Sequence, residues 1–346
     1  MTIRNKILPL FKSDLDHVLS LVGDNFRALS NQSTLITGAS GFIGSWMLET
    51  AIYAAQEFGF PVEISIITRN KNAFLSGFPH LNKFKGLNVI ETDVRNYQSK
   101  NKFEYIVHAA AIYPSPGDSL SDKEIVEIQT TGTKNVLSAT NAHSRFLYLS
   151  SGAVYDRAQA RSPIKENSPL LSTNKSTAYA KGKIEAEREV LSTQDQLSNA
   201  IFSIARCFSF IGPRMDIVRP YAASDFIHAA MTKQQISMRT DGQAVRSYMY
   251  AADLAVWLWN ILFRGHAGEI YNVGSSDEIT IANLAKEITC EISPGADVTA
   301  TKEVITEGDY YVPDVSYAQS ELELSQTFTL REAIKKTSQY YATGGL

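Results

Sequence analysis

Tyr179 and Lys183 stand four residues apart in Tyr179-Ala180-Lys181-Gly182-Lys183, on one face of a charged helical pattern that runs from Ser176 to Gln194. A phenol with an ordinary pKa of ~10 handles a proton near neutrality only if its anion is stabilised, and a lysine ammonium one turn away does this electrostatically. Ser150-Ser151 closes an apolar run upstream, so the Ser151 hydroxyl is placed to share a substrate oxygen with Tyr179. Taken alone, a tyrosine and a lysine at this spacing also describe an ordinary helix surface.

A second motif lies upstream. Thr37-Gly38-Ala39-Ser40-Gly41-Phe42-Ile43-Gly44 sits where a short apolar run gives way to a helical pattern. Glycines three apart permit a tight turn, close approach of backbone to a pyrophosphate, and close packing of helix on strand, while the helix N-terminus offers unpaired N–H groups to an anion. Such a loop after the first strand of a β/α alternation points to a dinucleotide. Where an NAD-preferring fold usually shows an acid at the end of the second strand, this chain has Thr68-Arg69-Asn70-Lys71. Arg69 suits a ribose 2′-phosphate, so NADP(H) is favoured and NAD(H) remains possible; Arg69 and Lys71 also read as a solvated strand end. Asp93 and Val94 follow a third apolar run, with Asp93 placed for the adenine amino group, and Ala109 and Ala110 follow His108 where backbone passes the cofactor.

Short apolar runs alternate with helical patterns from Ser33 onward, as expected of a parallel sheet covered on both faces. Strands are predicted at Ser33–Thr37, Val62–Ile67, Asn88–Glu91, Glu104–His108, Arg145–Ser150 and Ala200–Ala205, with helices at Phe42–Phe58, Asp122–Asn141 and Ser176–Gln194. Beyond about Arg206 the regularity breaks at Gly212-Pro213 and Arg219-Pro220, and helices recur at Ala251–Phe263 and Ile281–Ile292. The expected fold is α/β, a Rossmann-type doubly wound parallel sheet with a smaller mixed α/β C-terminal lobe. Its divisions are an amino-terminal helical extension over residues 1–30, a dinucleotide-binding domain over 31–205 and a substrate lobe over 206–346, possible interleaving included. In the extension, Leu15, Val18, Leu19, Val22, Phe26 and Leu29 recur at helical steps, as in an amphipathic helix laid on the outside or one that binds a partner.

Composition limits the alternatives. The 346 residues are 44% hydrophobic and 20% charged, a globular balance with room for a large core. A net charge of −3, from 33 basic and 36 acidic side chains, argues against binding to nucleic acid or to anionic lipid by bulk electrostatics. Cys207 and Cys290 form neither a disulfide framework nor a zinc spacing, the six histidines are scattered, and no metal site is expected. No apolar run reaches ~18 residues, and Met1 to Leu10 carries Arg4 and Lys6 without a following apolar segment and cleavage site. A cytoplasmic protein is expected, off the membrane.

With these motifs in register, the chain resembles the extended short-chain dehydrogenase/reductases, in particular their nucleotide-sugar epimerase, dehydratase and reductase branch. The resemblance runs from about Ser33 to Tyr341. It rests on the glycine loop, Asp93-Val94, His108-Ala109-Ala110, Leu149-Ser150-Ser151-Gly152-Ala153-Val154-Tyr155, Tyr179 with Lys183, Gly212-Pro213, the segment Gly242 to Leu254, and Tyr271-Asn272-Val273-Gly274-Ser275. It implies that Tyr179 is the catalytic acid/base, that Lys183 lowers its pKa and holds the nicotinamide ribose, and that Ser151 orients the substrate oxygen. It further implies that Gly38, Ser40, Gly41, Phe42, Ile43 and Gly44 line the cofactor, that Arg246 binds the diphosphate of a nucleotide sugar, with Ser209 nearby, and that the protein is a homodimer. A guanidinium suits that task by gripping phosphate oxygens in pairs, although Arg246 also reads as one half of a surface salt bridge.

Three departures inform the reaction. In 4,6-dehydratases of this branch an Asp-Glu pair follows the catalytic hydroxyl residue to take the C5 proton and expel the C6 hydroxyl; here stand Gly152 and Ala153, which transfer no proton. An asparagine common two places after Cys207 is Ser209, and one common three places before the Gly132-Thr133 pair is Gln129. The expected function is reduction of a 4-keto sugar nucleotide by hydride transfer with Tyr179 as proton donor. The alternatives are a 4-epimerase with tightly held NAD and, further off, a dehydratase or a non-catalytic nucleotide-binding protein.

Overall fold

Four apolar or β-branched residues without a break, Thr34 to Thr37, follow Ser33 and with it form the strand on which the rest is assembled. The computed structural model describes residues 9–112, 120–158, 160, 162–172, 176–219, 221–300 and 309–345; Arg4, Lys6 and Pro220 lie outside them. In chain order come α1 (Lys12–Val22), β1 (Ser33–Thr37), α2 (Phe42–Phe58), β2 (Glu63–Thr68), α3 (Lys71–Gly77), β3 (Leu87–Glu91), β4 (Tyr105–His108), α4 (Asp122–Leu137), β5 (Arg145–Ser151), α5 (Ala178–Gln196) and β6 (Ile201–Cys207). Then follow β7 (Phe210–Ile211), α6 (Ala222–Met231), β8 (Ile236–Met238), β9 (Val245–Arg246), β10 (Met249–Tyr250), α7 (Ala251–Arg264), β11 (Ile270–Val273), β12 (Ile279–Thr280), α8 (Ile281–Ile292), β13 (Val298–Ala300), β14 (Tyr310–Tyr311), α9 (Ser316–Leu322) and α10 (Leu330–Tyr340).

Seven strands form one Rossmann-type parallel sheet in the order β11-β6-β5-β4-β1-β2-β3. The chain builds outward from β1 to β3, then crosses to the other side of β1 for β4, and that reversal creates a crevice at the carboxyl ends of β1 and β4. The register is what matters for function. Thr37 pairs with Ile67 on one side and His108 on the other, and His108 pairs with Tyr148. The residues that follow this row, at Gly38, Arg69, Ala109 and Ser151, therefore all emerge at one edge of the sheet.

Behind that edge the strands are buried as their composition requires. Leu35, Ile106, Phe146, Phe202 and Ile204 pack with Val136, Leu137, Ala186 and Val190 of α4 and α5. Gly182 lets α5 approach α4 closely, since a Cβ there would meet Cβ and Cγ of Gln129 at 2.9 Å. Helix α4 stops at Leu137, short of the expected Asn141, because Ala139 and Thr140 donate to Val136 and Leu137 at 3.0 Å in the tighter three-residue step.

The amino-terminal periodicity breaks into two pieces. Gly23 takes φ +57°, which ends α1, and a 3₁₀ turn continues from Gly23 to Leu29. Val18, Val22, Phe26 and Leu29 are buried, and Phe26 meets the edge of Trp259 at 5.2 Å, so this face is covered by the chain itself.

By contact density the chain divides into two units, one of residues 1–154, 171–206 and 255–271, the other of 155–170, 207–254 and 272–346. In the second, β9 lies between β12, antiparallel, and β14, parallel, while β10 pairs with β7 and β13 with β8. Among the described residues no helix is long and apolar enough to cross a membrane, and no group of three His, Cys, Asp or Glu is arranged to hold a metal ion.

Candidate active site

The glycine loop turns directly out of β1. Gly41 N–H donates to the Gly38 carbonyl at 2.9 Å, closing the turn. Gly38 has φ +68°, and a Cβ on it would lie 2.6 Å from the Ala109 carbonyl carbon; one on Gly44 would lie 2.3 Å from the Gly38 carbonyl oxygen. Neither position admits another residue. A Cβ on Gly41 would instead meet only the Gly38 oxygen, at 3.2 Å, so its outer side is open. Helix α2 begins at Phe42 with no side-chain cap and no acid in its first turn, which leaves its first amides and positive dipole end, with Phe42, Ile43 and the exposed Ser40 around them, for an anion. This cradle fits a dinucleotide diphosphate.

A buried hydrogen-bond chain fastens the loop to its neighbours. Ala110 N–H donates to Thr37 Oγ1 at 3.0 Å, Thr37 Oγ1 lies 2.7 Å from His108 Nδ1, and His108 Nε2 lies 3.0 Å from Thr133 Oγ1. The Thr133 hydroxyl donates to the Gln129 carbonyl, so it accepts from Nε2–H, and Nδ1 in turn accepts from Thr37. His108 is neutral in one tautomer: complete burial, aided by the charge of Lys183, pushes its pKa down to about 3. Nothing local in the sequence marks this role, since His108 stands there simply as the last residue of β4 before Ala109.

Thr177 caps α5, accepting from Ala180 N–H at 3.2 Å, and so sets Tyr179 in the first turn with its ring partly exposed. Lys183, 2% exposed, follows one turn on. Its ammonium donates to the Leu149 carbonyl at 2.6 Å and lies 5.9 Å from the centre of the Tyr179 ring and 4.7 Å from that of Tyr148. Ser151 ends β5, where its Oγ accepts from Ala153 N–H at 3.1 Å and keeps its hydroxyl hydrogen for another acceptor. One further turn along α5, Glu187 accepts from Arg206 Nε at 3.0 Å and Nη2 at 2.7 Å, and from the Ser150 hydroxyl. Both members of this ion pair are 4% exposed. They lock α5 to the ends of β5 and β6, and the sequence reading missed them; an acid four places beyond Lys183 was the available signal.

At the end of β2, Arg69 is exposed, and Asn70 caps α3, which Lys71 begins. Asp93 accepts from Arg95 Nε at 3.0 Å and Nη2 at 2.9 Å, and from the Arg95 N–H at 2.8 Å. Arg95 holds its carboxyl below the usual carboxylate range, with a smaller pull from Arg69. Val94 turns inward, where a Cβ on Gly132 would meet its Cγ1 at 2.8 Å. Arg69 and Asp93 follow the carboxyl ends of β2 and β3, and Ala109 and Ala110 follow that of β4.

The other candidates belong to the second unit. The Ser209 carbonyl accepts from Met249 N–H at 3.1 Å. Arg246 is ion-paired with Asp309, and its Nη1 donates at 2.9 Å to the carbonyls of Val245 and Asp309. The salt-bridge alternative for Arg246 is thus realised in this state. Glu166 accepts from Asn272 N–H at 2.9 Å.

A family model described as the NAD dependent epimerase/dehydratase family matches residues 34–274. The chain is similar to UDP-glucuronic acid decarboxylase 1 of Arabidopsis thaliana, 25% identical over 308 residues that cover 87% of this chain and 68% of that protein. Across three of the plant proteins it matches, it spans 68%, 66% and 47% of their length. Among solved structures, UDP-N-acetylglucosamine 4-epimerase of Methanobrevibacter ruminantium in complex with UDP-N-acetylmuramic acid superposes with TM-score 0.78 at 20% identity, over 91% of this chain and 99% of that one. DesIV, a dTDP-glucose 4,6-dehydratase of Streptomyces venezuelae with NAD and TYD bound, gives 0.75 at 21% identity, over 90% and 97%. At such identities the likeness is one of fold.

Proposed function

From the premise that the chain belongs to the NAD dependent epimerase/dehydratase family, we propose that it reduces a 4-keto sugar carried on a nucleoside diphosphate, with NADP(H) as its cofactor. The observation that carries this reading is Arg69. It stands exposed at the end of β2, where this fold faces the adenosine ribose, and its charge reaches Asp93 beside the Arg95 guanidinium. Two guanidiniums near one acid favour a ribose that bears a phosphate.

When bound, the nicotinamide supplies the hydride. Tyr179 gives its phenolic proton to the carbonyl oxygen as that oxygen gains charge. Lys183, fixed to the Leu149 carbonyl, stabilises the phenolate left behind. The Ser151 hydroxyl donates to the same oxygen and keeps it in line with Tyr179. Arg246 takes the diphosphate, leaving Asp309 to do so.

A 4-epimerase is the second reading, favoured by the small side chains at Gly152 and Ala153, which leave the hydroxyl group at Ser151 and the phenol at Tyr179 as the proton-handling groups for both oxidation and re-reduction. The two separate by stoichiometry. The purified protein is mixed with NADPH and UDP-, dTDP-, GDP- and CDP-linked sugars and their 4-keto-6-deoxy forms while nicotinamide absorbance is followed. Loss of NADPH in step with product is the expected result, and sugar conversion at constant absorbance identifies the epimerase.

A further inference from the structure

Arg157 has no part in the site as described so far. It donates through Nη1 to Asp309 Oδ1 at 3.3 Å, while Arg246 Nη2 takes the other oxygen, Oδ2. One carboxylate thus carries two guanidiniums. The backbone sets this geometry, because β9 and β14 pair in parallel with Arg246 opposite Tyr311, and Val245 N–H donates to the Asp309 carbonyl at 2.9 Å. The Arg157 guanidinium lies 4.8 Å from the centre of the Tyr311 ring, which fixes its plane. Arg246 is 19% exposed, Asp309 31% and Arg157 37%, so the group is half-withdrawn from water yet open on one side.

Charge makes the arrangement informative. Two cations and one anion leave one positive charge, and two like charges on neighbouring side chains repel. A structural ion pair for Arg246 needs no second guanidinium. Two planar forks held side by side match a ligand with several oxygens and two negative charges, which a diphosphate diester has and a carboxylate lacks.

We propose that Arg157 is the second guanidinium of the diphosphate subsite begun by Arg246, and that Asp309 aligns the two forks and competes for them with the ligand. The inference rests on the reading of Arg246 as a diphosphate ligand. It adds a specificity: the subsite favours nucleoside diphosphates, whose two phosphate groups reach one fork each, over monophosphates, whose three oxygens sit on a single phosphorus.

Calorimetric titration of the full chain with UDP, dTDP, GDP and CDP, and with the matching monophosphates, tests it. The diphosphate that binds best is then carried through the variants, each checked for an unchanged melting temperature. Arg157→Gln is expected to weaken the diphosphate about tenfold to a hundredfold and the monophosphate by less than about threefold, as fits the loss of a charge-assisted fork. Arg157→Lys, which keeps the charge and is the variant to rely on should the glutamine disturb folding, is expected to lose several-fold. Asp309→Asn is expected to tighten the diphosphate. Diphosphate affinity unchanged in both Arg157 variants while Arg246→Gln weakens it overturns this inference and leaves the reading of Arg246 standing. No loss in Arg246→Gln, or no binding of any diphosphate by the parent, overturns both, and no tightening in Asp309→Asn overturns the competing role of that carboxylate.

Discussion

The Lys183 ammonium donates to the Leu149 carbonyl at 2.6 Å, two residues before Ser151 on the same strand. That bond ties the lysine of one element to the serine of another, with Tyr179 one helical turn away. Position and charge of the cation are therefore set together.

Tyr179→Phe removes the phenol and leaves the ring. Turnover is expected to fall at least ~10²-fold, the usual contribution of a general acid, with dinucleotide affinity nearly intact. Initial rates with fluorescence titration of the cofactor read both, and activity within about tenfold of the parent removes Tyr179 from the mechanism.

Lys183→Met is expected to slow turnover and weaken the cofactor together. The ammonium is asked to serve the phenol and the nicotinamide ribose at once, so a variant that shows only one of the two losses disproves the double role.

Arg69→Ala is expected to weaken NADPH and to leave NADH nearly unchanged. Titrations of both cofactors into parent and variant decide it. Equal losses place Arg69 away from the ribose phosphate, and the reductase reading then loses its main support.

The neutral His108 makes stability depend on pH. Its folded pKa of about 3 lies below the ordinary value near ~6.5, so between these limits the unfolded chain binds a proton that the folded chain refuses. Stability is whole above the unfolded value and declines as pH falls toward the folded one, by about 2 kcal/mol at pH 5 if this group acts alone. Urea melts at pH 7 and pH 5, in the parent and in His108→Gln, measure the difference. The same pH slope in both assigns the acid sensitivity elsewhere.

How far the sequence reaches is visible in individual residues. Strand β1 and helix α2 were readable to the residue because an apolar run, a glycine turn and a helical period follow one another locally. Tyr179 and Lys183 were readable because four residues of helix bring them together without help from the rest of the chain. Gly23 was a break in plain sight that the apolar period concealed. Arg206 and Glu187, nineteen apart, and Arg246 and Asp309, sixty-three apart, meet only through strand pairing and packing that no local pattern encodes. Asp93 differs: its partner Arg95 stands two places on in the same turn, a local signal beside the reading of Asp93 as a ligand for adenine, and Arg95 holds both its oxygens.

Elimination of water from the sugar is the reaction that this chain is expected not to perform. Gly152 and Ala153 occupy a 3₁₀ turn directly after Ser151, and neither carries a proton-transfer group. Asp and Glu placed there are expected not to create a dehydratase by themselves, since the carboxyls must be held within hydrogen-bond reach of C5 and of the C6 oxygen by a supporting shell. The sharper expectation concerns the parent. Incubated in deuterated water with UDP-, dTDP- and GDP-hexoses, it should introduce no deuterium at C5 and release no 4-keto-6-deoxy product by mass spectrometry. Detection of either requires another base. Glu166 is the first to examine, and because its carboxylate accepts from Asn272 N–H at 2.9 Å, Glu166→Gln keeps an oxygen for that bond while removing the basic group. Deuterium exchange that survives in Glu166→Gln then points away from that residue as well.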